Sequence, residues 1–412
     1  MQVAETTFSN SRSDWFNEAR FGMFVHWGPY SVAGRGEWVM NREHIDHDSY
    51  IDKYVHSWSA LNYDPGEWAS VAKAAGMKYV VLTTRHHDGF ALWETKTTPC
   101  NAAKMGPRRD LVKPFVEAVR AAGLKVGLYY SVADWSHPDY PGAHYRDWPE
   151  SNDWKDDAAR ERFIVYYQEQ VRELMTGYGK IDILWYDGCM PGPLEGEQCN
   201  SMVRALQPDI LINERNGGPF DFRISEQAIK PKEGFWESCI TLNRNWGWHS
   251  GDNHWKPSTE VLELLIQAAS GGGNLLVNVG PMADGKLPEK SVEILVDCGL
   301  WLNFNRESIS NSERHGFTWN NTCLVTQIND RVFLHFINQP GKDFCWSELR
   351  NRVTGVRMLS TGTPVKWEQK DGQLHLSDLP VPLSNHPITT VEVQVEGRPE
   401  PVAEQKNFWI PG

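Results

Sequence analysis

The sequence predicts an α/β fold: a (β/α)8-like barrel, irregular where helices are missing, followed by a small C-terminal antiparallel β-sandwich domain. Two patterns carry this expectation. Up to about residue 310, short apolar, β-branched runs alternate with stretches of helical pattern, the signature of parallel strands joined by crossover helices. Beyond that point strand-like runs follow one another with turn signals and no helix between them. The expected division is 1–310 for the barrel and 311–412 for the sandwich.

Taken in order, barrel strands are expected at FGMFVHW (21–27), KYVVLTT (78–84), KVGLYYS (125–131), IDILWYD (181–187), DILINER (209–215) and GGNLLVNVG (272–280). Two further short strands, at FRISEQ and GFWESCI, bring the count near eight. Helices are expected at PGEWASVAKAAG, DLVKPFVEAVRAAG, roughly 154–178 and STEVLELLIQAAS. Several of these end in glycine, which accepts the left-handed conformation that closes a helix. No GxGxxG follows the first strand, so an open dinucleotide-binding sheet is disfavoured. The later strands are expected within CLVTQINDRVFLHFINQ, VTGVRMLS, PVKWEQKDGQLHLSDL and TTVEVQVEG.

A chain of 412 residues can bury a substantial core without covalent staples. Its seven cysteines are odd in number, scattered and free of CxxC pairs, which argues against a disulfide framework or a zinc ribbon and for a reducing compartment. The opening residues lack a basic start followed by an apolar run, and nothing approaches the ~18 apolar residues of a membrane span. A cytoplasmic location without membrane association is expected, or a secreted or periplasmic one if a leader has been removed. The formal charge of −12, without a Lys/Arg cluster, argues against a nucleic-acid partner and suits a neutral substrate better. Most of the 19 tryptophans are expected to fill core, although an indole face also suits the C–H face of a sugar ring.

In such a barrel the active site lies at the C-terminal ends of the strands. These carry His26, then Glu37 and Trp38; His86 and His87; Tyr129, followed by Asp134 and Trp135; Asp187; Asn213, Glu214 and Arg215; Asp221 and Glu226; and Glu237. A lone polar residue after a strand usually satisfies local hydrogen bonds, but at least five strand ends bear chemistry here. Asp187 is the best nucleophile candidate, since Trp185 and Tyr186 limit water while Gly188 permits a tight turn. A helix cap or an ordinary Asp-Gly turn is its bland alternative. A carboxylate nucleophile needs a second carboxyl group that arrives protonated, and the residues alone leave Glu226, Glu237 and Glu214 open. Strand-end histidines, with His44 and His47 nearby in sequence, raise a metal-dependent hydrolase as a rival. Neighbouring His86 and His87 would face opposite ways unless the strand has ended, and no His-x-His occurs, so neither metal nor cofactor is expected.

The ordered set HWGPYS, EWVM, TTRHHDGF, LYYSVADW, LWYDG, NER, DFRISE, WES…NWGW and GGGNLLVNVGP, from about residue 12 to 310, resembles the α-L-fucosidases of glycoside hydrolase family 29. The resemblance implies a retaining double displacement in which the aspartate matching Asp187 forms a covalent fucosyl intermediate. It implies a fucose pocket lined by His26, Glu37, Trp38, His86, His87, Tyr129 and Trp185, with Arg215 matching the family's strand arginine. Glu226, in DFRISE, matches the acid/base of some bacterial members, and Glu237, in WES, is the alternative. The implied partner is a fucosylated glycan or glycoside. A retaining glycosidase for a related galacto-configured sugar and a non-catalytic fucose-binding protein are the competing readings. The C-terminal strands also resemble the family's usual companion domain.

Overall fold

The computed structural model describes residues 12–141, 154–188, 194–318, 320–381, 383 and 387–402. Eight parallel strands form its central sheet: β1 (Phe21–Val25), β2 (Tyr79–Arg85), β3 (Lys125–Ser131), β4 (Ile183–Asp187), β5 (Leu211–Ile212), β6 (Phe222–Glu226), β7 (Phe235–Thr241) and β8 (Asn274–Val279). Their order is β5-β4-β3-β2-β1-β8-β7-β6, and a single parallel bridge, Asn213 to Phe222, joins the two ends. The expected eight-stranded barrel is therefore present and nearly closed.

The apolar runs become strands because most of these strands are buried on both faces, as parallel barrel strands are. Period two sorts their side chains. Phe24, Tyr79, Val81, Tyr129, Ile183, Trp185, Cys239 and Leu276 join one inner apolar cluster, which Phe16 and Ala19 of helix Asp14–Ala19 extend. Their neighbours, such as Met23, Leu128 and Leu184, belong to the outer core shared with the helices. Those helices include Pro65–Ala74, Val112–Ala121, Asp157–Gly177, Gly196–Leu206, Ser258–Ser270 and Glu289–Asn305. No helix other than a short 3-10 turn separates β5 from β6 among the described residues, so the barrel is irregular as expected.

One strand is far shorter than its sequence suggests. Of DILINER, only Leu211–Ile212 pairs as strand, and Glu214–Asn216 turns away as a 3-10 helix. The Asn213 amide accounts for this: it accepts from Tyr186 N at 2.9 Å and donates to Tyr186 O at 2.9 Å, replacing the backbone ladder. Across the resulting seam, Asp221 accepts from Arg12 (2.6 Å), Arg204 (2.7 Å) and Ile212 N (2.8 Å). Asp221 is thus a structural clasp rather than part of the pocket.

Seven further strands follow: β9 (Cys323–Ile328), β10 (Arg331–Phe336), β11 (Phe344–Trp346), β12 (Val353–Met358), β13 (Lys366–Lys370), β14 (Gln373–Ser377) and β15 (Thr389–Val395). They form two antiparallel sheets, β12-β15-β10-β9 and β11-β14-β13, around a common apolar cluster that includes Val332, Leu334, Trp346, Leu374 and Val393. The short β11 is not evident from the sequence. Trp301 Nε1 donates to Ile388 O at 2.7 Å, tying helix Glu289–Asn305 to the residue just before β15. Among the described residues, no helix is long and apolar enough to cross a membrane.

Candidate active site

Asp187 ends β4 level with Ser131 of β3. The next residue, Gly188, has φ +85°, and a Cβ there would lie 2.7 Å from Ala133 N, so glycine alone lets the chain fold back here. Tyr129 donates its hydroxyl to Asp187 Oδ2 at 2.7 Å, and Arg215 Nη1 donates to Oδ1. Burial alone would raise the Asp187 pKa, but Arg215, His87 and the Tyr129 hydroxyl outweigh it and bring the value down to about 2. The carboxylate is ionised at neutral pH. Beneath it, Trp185 stacks on Tyr129 at 5.7 Å and receives the Arg215 guanidinium over its ring at 5.1 Å.

Strand β2 ends at Arg85, so His86 and His87 lie past the strand, their rings only 4.1 Å apart. Arg85 anchors this exit: it is fully buried, pairs with Asp134 at 3.0 Å, and donates to Gln170 and to the Ser131 carbonyl. Gly89 (φ +80°) completes the turn, because a Cβ would meet Asp134 Oδ1 and Ser136 Oγ at 2.2 Å. Asp88 accepts from Tyr50 at 2.7 Å, as a turn-forming residue would. Burial lowers the pKa of His26 to about 3 and of His87 to about 4, and holds His86 well below the ordinary value. All three imidazoles are neutral.

Trp38 packs edge-on to His87 (5.4 Å) and Trp135 (4.9 Å). Trp246, to which the sequence assigns no role beyond its place in NWGW, has its ring 5.1 Å from that of His26. Its loop is held by two bonds: Asn278 Nδ2 donates to Trp246 O at 2.7 Å, and Gly247 N donates to Glu37 Oε2 at 2.8 Å. Glu37 is buried, and burial raises its pKa. His86 Nδ1 and Trp135 Nε1 are buried with no hydrogen-bond partner, so the pocket retains unused polar capacity.

The three competing glutamates separate clearly. Glu226 ends β6 with its side chain 42% exposed, and it accepts from Arg215 Nη2 at 2.5 Å. One guanidinium therefore joins it to Asp187. Glu237 lies fully buried inside the barrel, accepting from Tyr79 Oη and from Trp185 Nε1 (2.9 Å). Burial raises its pKa to about 7 against the pull of those two donors. Glu214 accepts from Ile224 N at 3.1 Å and pairs with Arg223 at 3.8 Å, which pins the turn to β6. His44 is exposed, and among the described residues no group of three or more His, Cys, Asp and Glu side chains is arranged to hold a metal ion.

A family model described as Alpha-L-fucosidase matches residues 2–307. The chain belongs to the α-L-fucosidase family. Tissue alpha-L-fucosidase of Mus musculus is 30% identical over 406 residues, spanning 89% of this chain and 87% of that one. Alpha-L-fucosidase isoenzyme 1 from Paenibacillus thiaminolyticus has the same fold, with TM-score 0.86 and 36% identity over 94% of this chain and 99% of that one. An α-L-fucosidase of family GH29 from Bacteroides thetaiotaomicron, solved as a trapped covalent intermediate with 2-fluoro-fucosyl fluoride, gives TM-score 0.86 at 26% identity, covering 96% and 98%. The resemblance drawn from the strand-end motifs is thereby borne out, as is the barrel with its antiparallel companion sheets.

Proposed function

We propose that this chain is a retaining exo-α-L-fucosidase that hydrolyses terminal α-L-fucosides of glycans or glycosides through a covalent fucosyl-aspartate intermediate. The observation that carries the reading is the Asp187–Arg215–Glu226 arc, an ionised carboxylate and a half-exposed one on a single guanidinium. Asp187 attacks the anomeric carbon, and Glu226 protonates the departing oxygen; Glu226 then takes the proton of the water that releases the sugar. To act as the acid, Glu226 must loosen its bond to Arg215, and its exposure lets solvent supply the proton. Glu237, sealed beneath Trp185, fits a supporting role for that indole better than proton delivery.

Fucose is a neutral 6-deoxy sugar, so it needs hydrogen-bond partners for its hydroxyls and an apolar surface for its methyl group. His26, His86, His87 and Glu37 supply the first, and Trp38 with Trp246 the second. Tyr129, Trp185 and Arg215 hold and polarise the nucleophile. We assign residues 1–310 to the catalytic unit and 311–412 to a companion domain. Free thiols at Cys100, Cys199, Cys239, Cys298, Cys323 and Cys345 support a reducing, cytoplasmic setting.

The test is hydrolysis of an aryl α-L-fucoside, followed by NMR of the first-formed anomer and mass spectrometry after treatment with a 2-fluoro-fucosyl fluoride. The expected results are turnover with retention and an adduct on the Asp187 peptide. Preference for an aryl galactoside would move the reading to a galacto-configured sugar, and fucose binding without turnover or adduct would leave a sugar-binding protein.

A further inference from the structure

We infer that Asn278 and Ser131 are positioning residues that hold His26 and His87 in the Nδ1–H tautomer, so that their Nε2 atoms accept hydrogen bonds from sugar hydroxyls and donate none to Asp187. The sugar's part in this rests on the fucosidase reading above, whereas the protons on Nδ1 follow from donor and acceptor chemistry, and the bare Nε2 atoms from that together with burial.

Asn278 stands on β8 in register with Phe24 of β1. Its side-chain amide meets two neighbours, the Trp246 carbonyl oxygen at 2.7 Å and His26 Nδ1 at 2.6 Å. A carbonyl oxygen only accepts, so the amide presents its NH2 group to Trp246 and its own oxygen to His26. That oxygen also only accepts, so the proton of His26 resides on Nδ1. Ser131 applies the same logic through a hydroxyl. Its single hydrogen goes to the Ala133 carbonyl at 2.8 Å, so His87 Nδ1, 2.6 Å from Ser131 Oγ, is the donor of that bond.

Because both rings are buried and neutral, each Nε2 is unprotonated. For His87 this matters directly, since Nε2 lies 3.8 Å from Asp187 Oδ2. In the other tautomer His87 would direct an N–H at the nucleophile and compete for the electron pair that must attack carbon. In the inferred one it can accept from a hydroxyl seated beside Asp187 instead. A pocket that presents acceptors selects ligands rich in O–H donors, which is what a sugar ring offers.

The test uses the full chain labelled with 15N-histidine, its ring signals assigned with His26→Gln and His87→Gln. Protonated Nδ1 and unprotonated Nε2 are expected for both residues at neutral pH. An Nε2–H signal from either ring in an active enzyme overturns the inference and leaves the fucosidase reading intact. Failure of the wild type to hydrolyse any fucoside overturns the functional reading, and with it the sugar's role, while the tautomer result stands.

Two variants extend the test. Ser131→Ala should release the His87 tautomer and raise KM roughly tenfold, with a smaller loss in kcat, as expected for one hydrogen bond; Ser131→Thr should restore both. Unchanged ring signals and KM in Ser131→Ala would overturn the lock. Asn278→Asp puts a carboxylate beside His26, whose other titratable neighbours are Asp187, His86, His87 and Tyr129. The acid limb of kcat/KM should then move up by about one pH unit or more. A profile scaled down without that movement would count against the assignment.

Discussion

Both the barrel mouth and the antiparallel sheets bury histidines, and by burial or titration the two sets look alike. Burial brings His26 and His335 down to about 3, and His87 and His315 to about 4. Their hydrogen bonds differ. His335 spans β9 and β15, with one ring nitrogen on Thr326 Oγ1 (2.8 Å) and the other on Thr390 Oγ1 (3.1 Å). His315 meets Ser270 Oγ, Val325 O and Phe317 N. At the mouth, by contrast, His86 Nδ1 and Trp135 Nε1 are buried without partners, and among the described residues no such buried side-chain atom occurs in the antiparallel sheets. A shifted pKa therefore does not separate the histidines of the mouth from those of the sheets here. What sets His86 apart from His315 and His335 is a buried ring nitrogen that the fold leaves unpartnered.

That contrast can be broken or sharpened by four measurements. The largest effect is expected at the mouth: Asp187→Ala should lower kcat by about 10⁴-fold with little change in the circular dichroism spectrum, and azide should rescue it as an inverted glycosyl azide. Wild-type-like turnover would remove Asp187 from the mechanism. Next, Glu226→Ala should cost roughly 10³-fold on fucosides with poor leaving groups and far less on activated aryl ones. If Glu237→Ala behaves this way instead, the acid lies inside the barrel.

Glu237 should behave like His335, as a group saturated by its own fold, and pH tests this. Its pKa is raised from 4.5 to about 7 in the folded protein. Between those values the folded state holds a proton that the unfolded chain has released, so stability falls as pH rises through this window and levels off above about 7. Glu237→Gln lacks this slope, so its melting temperature should gain on the wild type from pH 5 to pH 8, by an amount worth roughly 3 kcal/mol. Parallel melting curves across that range would contradict the buried, protonated carboxyl. The smallest effect is expected for His335→Leu, with a loss of roughly 1–3 kcal/mol in stability and unaltered kcat. A kcat defect comparable to that of a mouth histidine would dissolve the comparison.

Much of this was legible in the sequence because the fold's periodicities are. Seven of the eight apolar runs became strands within about two residues of their expected ends, since buried parallel strands are continuous β-branched runs. DILINER failed because a side-chain amide, Asn213, can impersonate a strand neighbour, and no periodicity reports that. The histidines were visible as polar residues following apolar runs. Glu226 and Glu237 were indistinguishable because each lies within a strand, where facing depends on register: one ends its strand at the rim, the other is the third residue of β7 and faces inward. Asn278 and Trp246 stood in the sequence only as members of the motifs GGGNLLVNVGP and NWGW, the first an amide interrupting LLVNV and the second one tryptophan among many.

The seam between β5 and β6 has a further consequence. Elsewhere adjacent barrel strands share a ladder, but here one bridge, the Asp221 clasp and side-chain bonds from Glu214 and Arg215 to β6 hold the two ends together. The Asp187–Arg215–Glu226 arc crosses this junction, from β4 through the 3-10 turn to β6. The separation of the two carboxylates is thus inherited from the weakest-laddered place in the barrel.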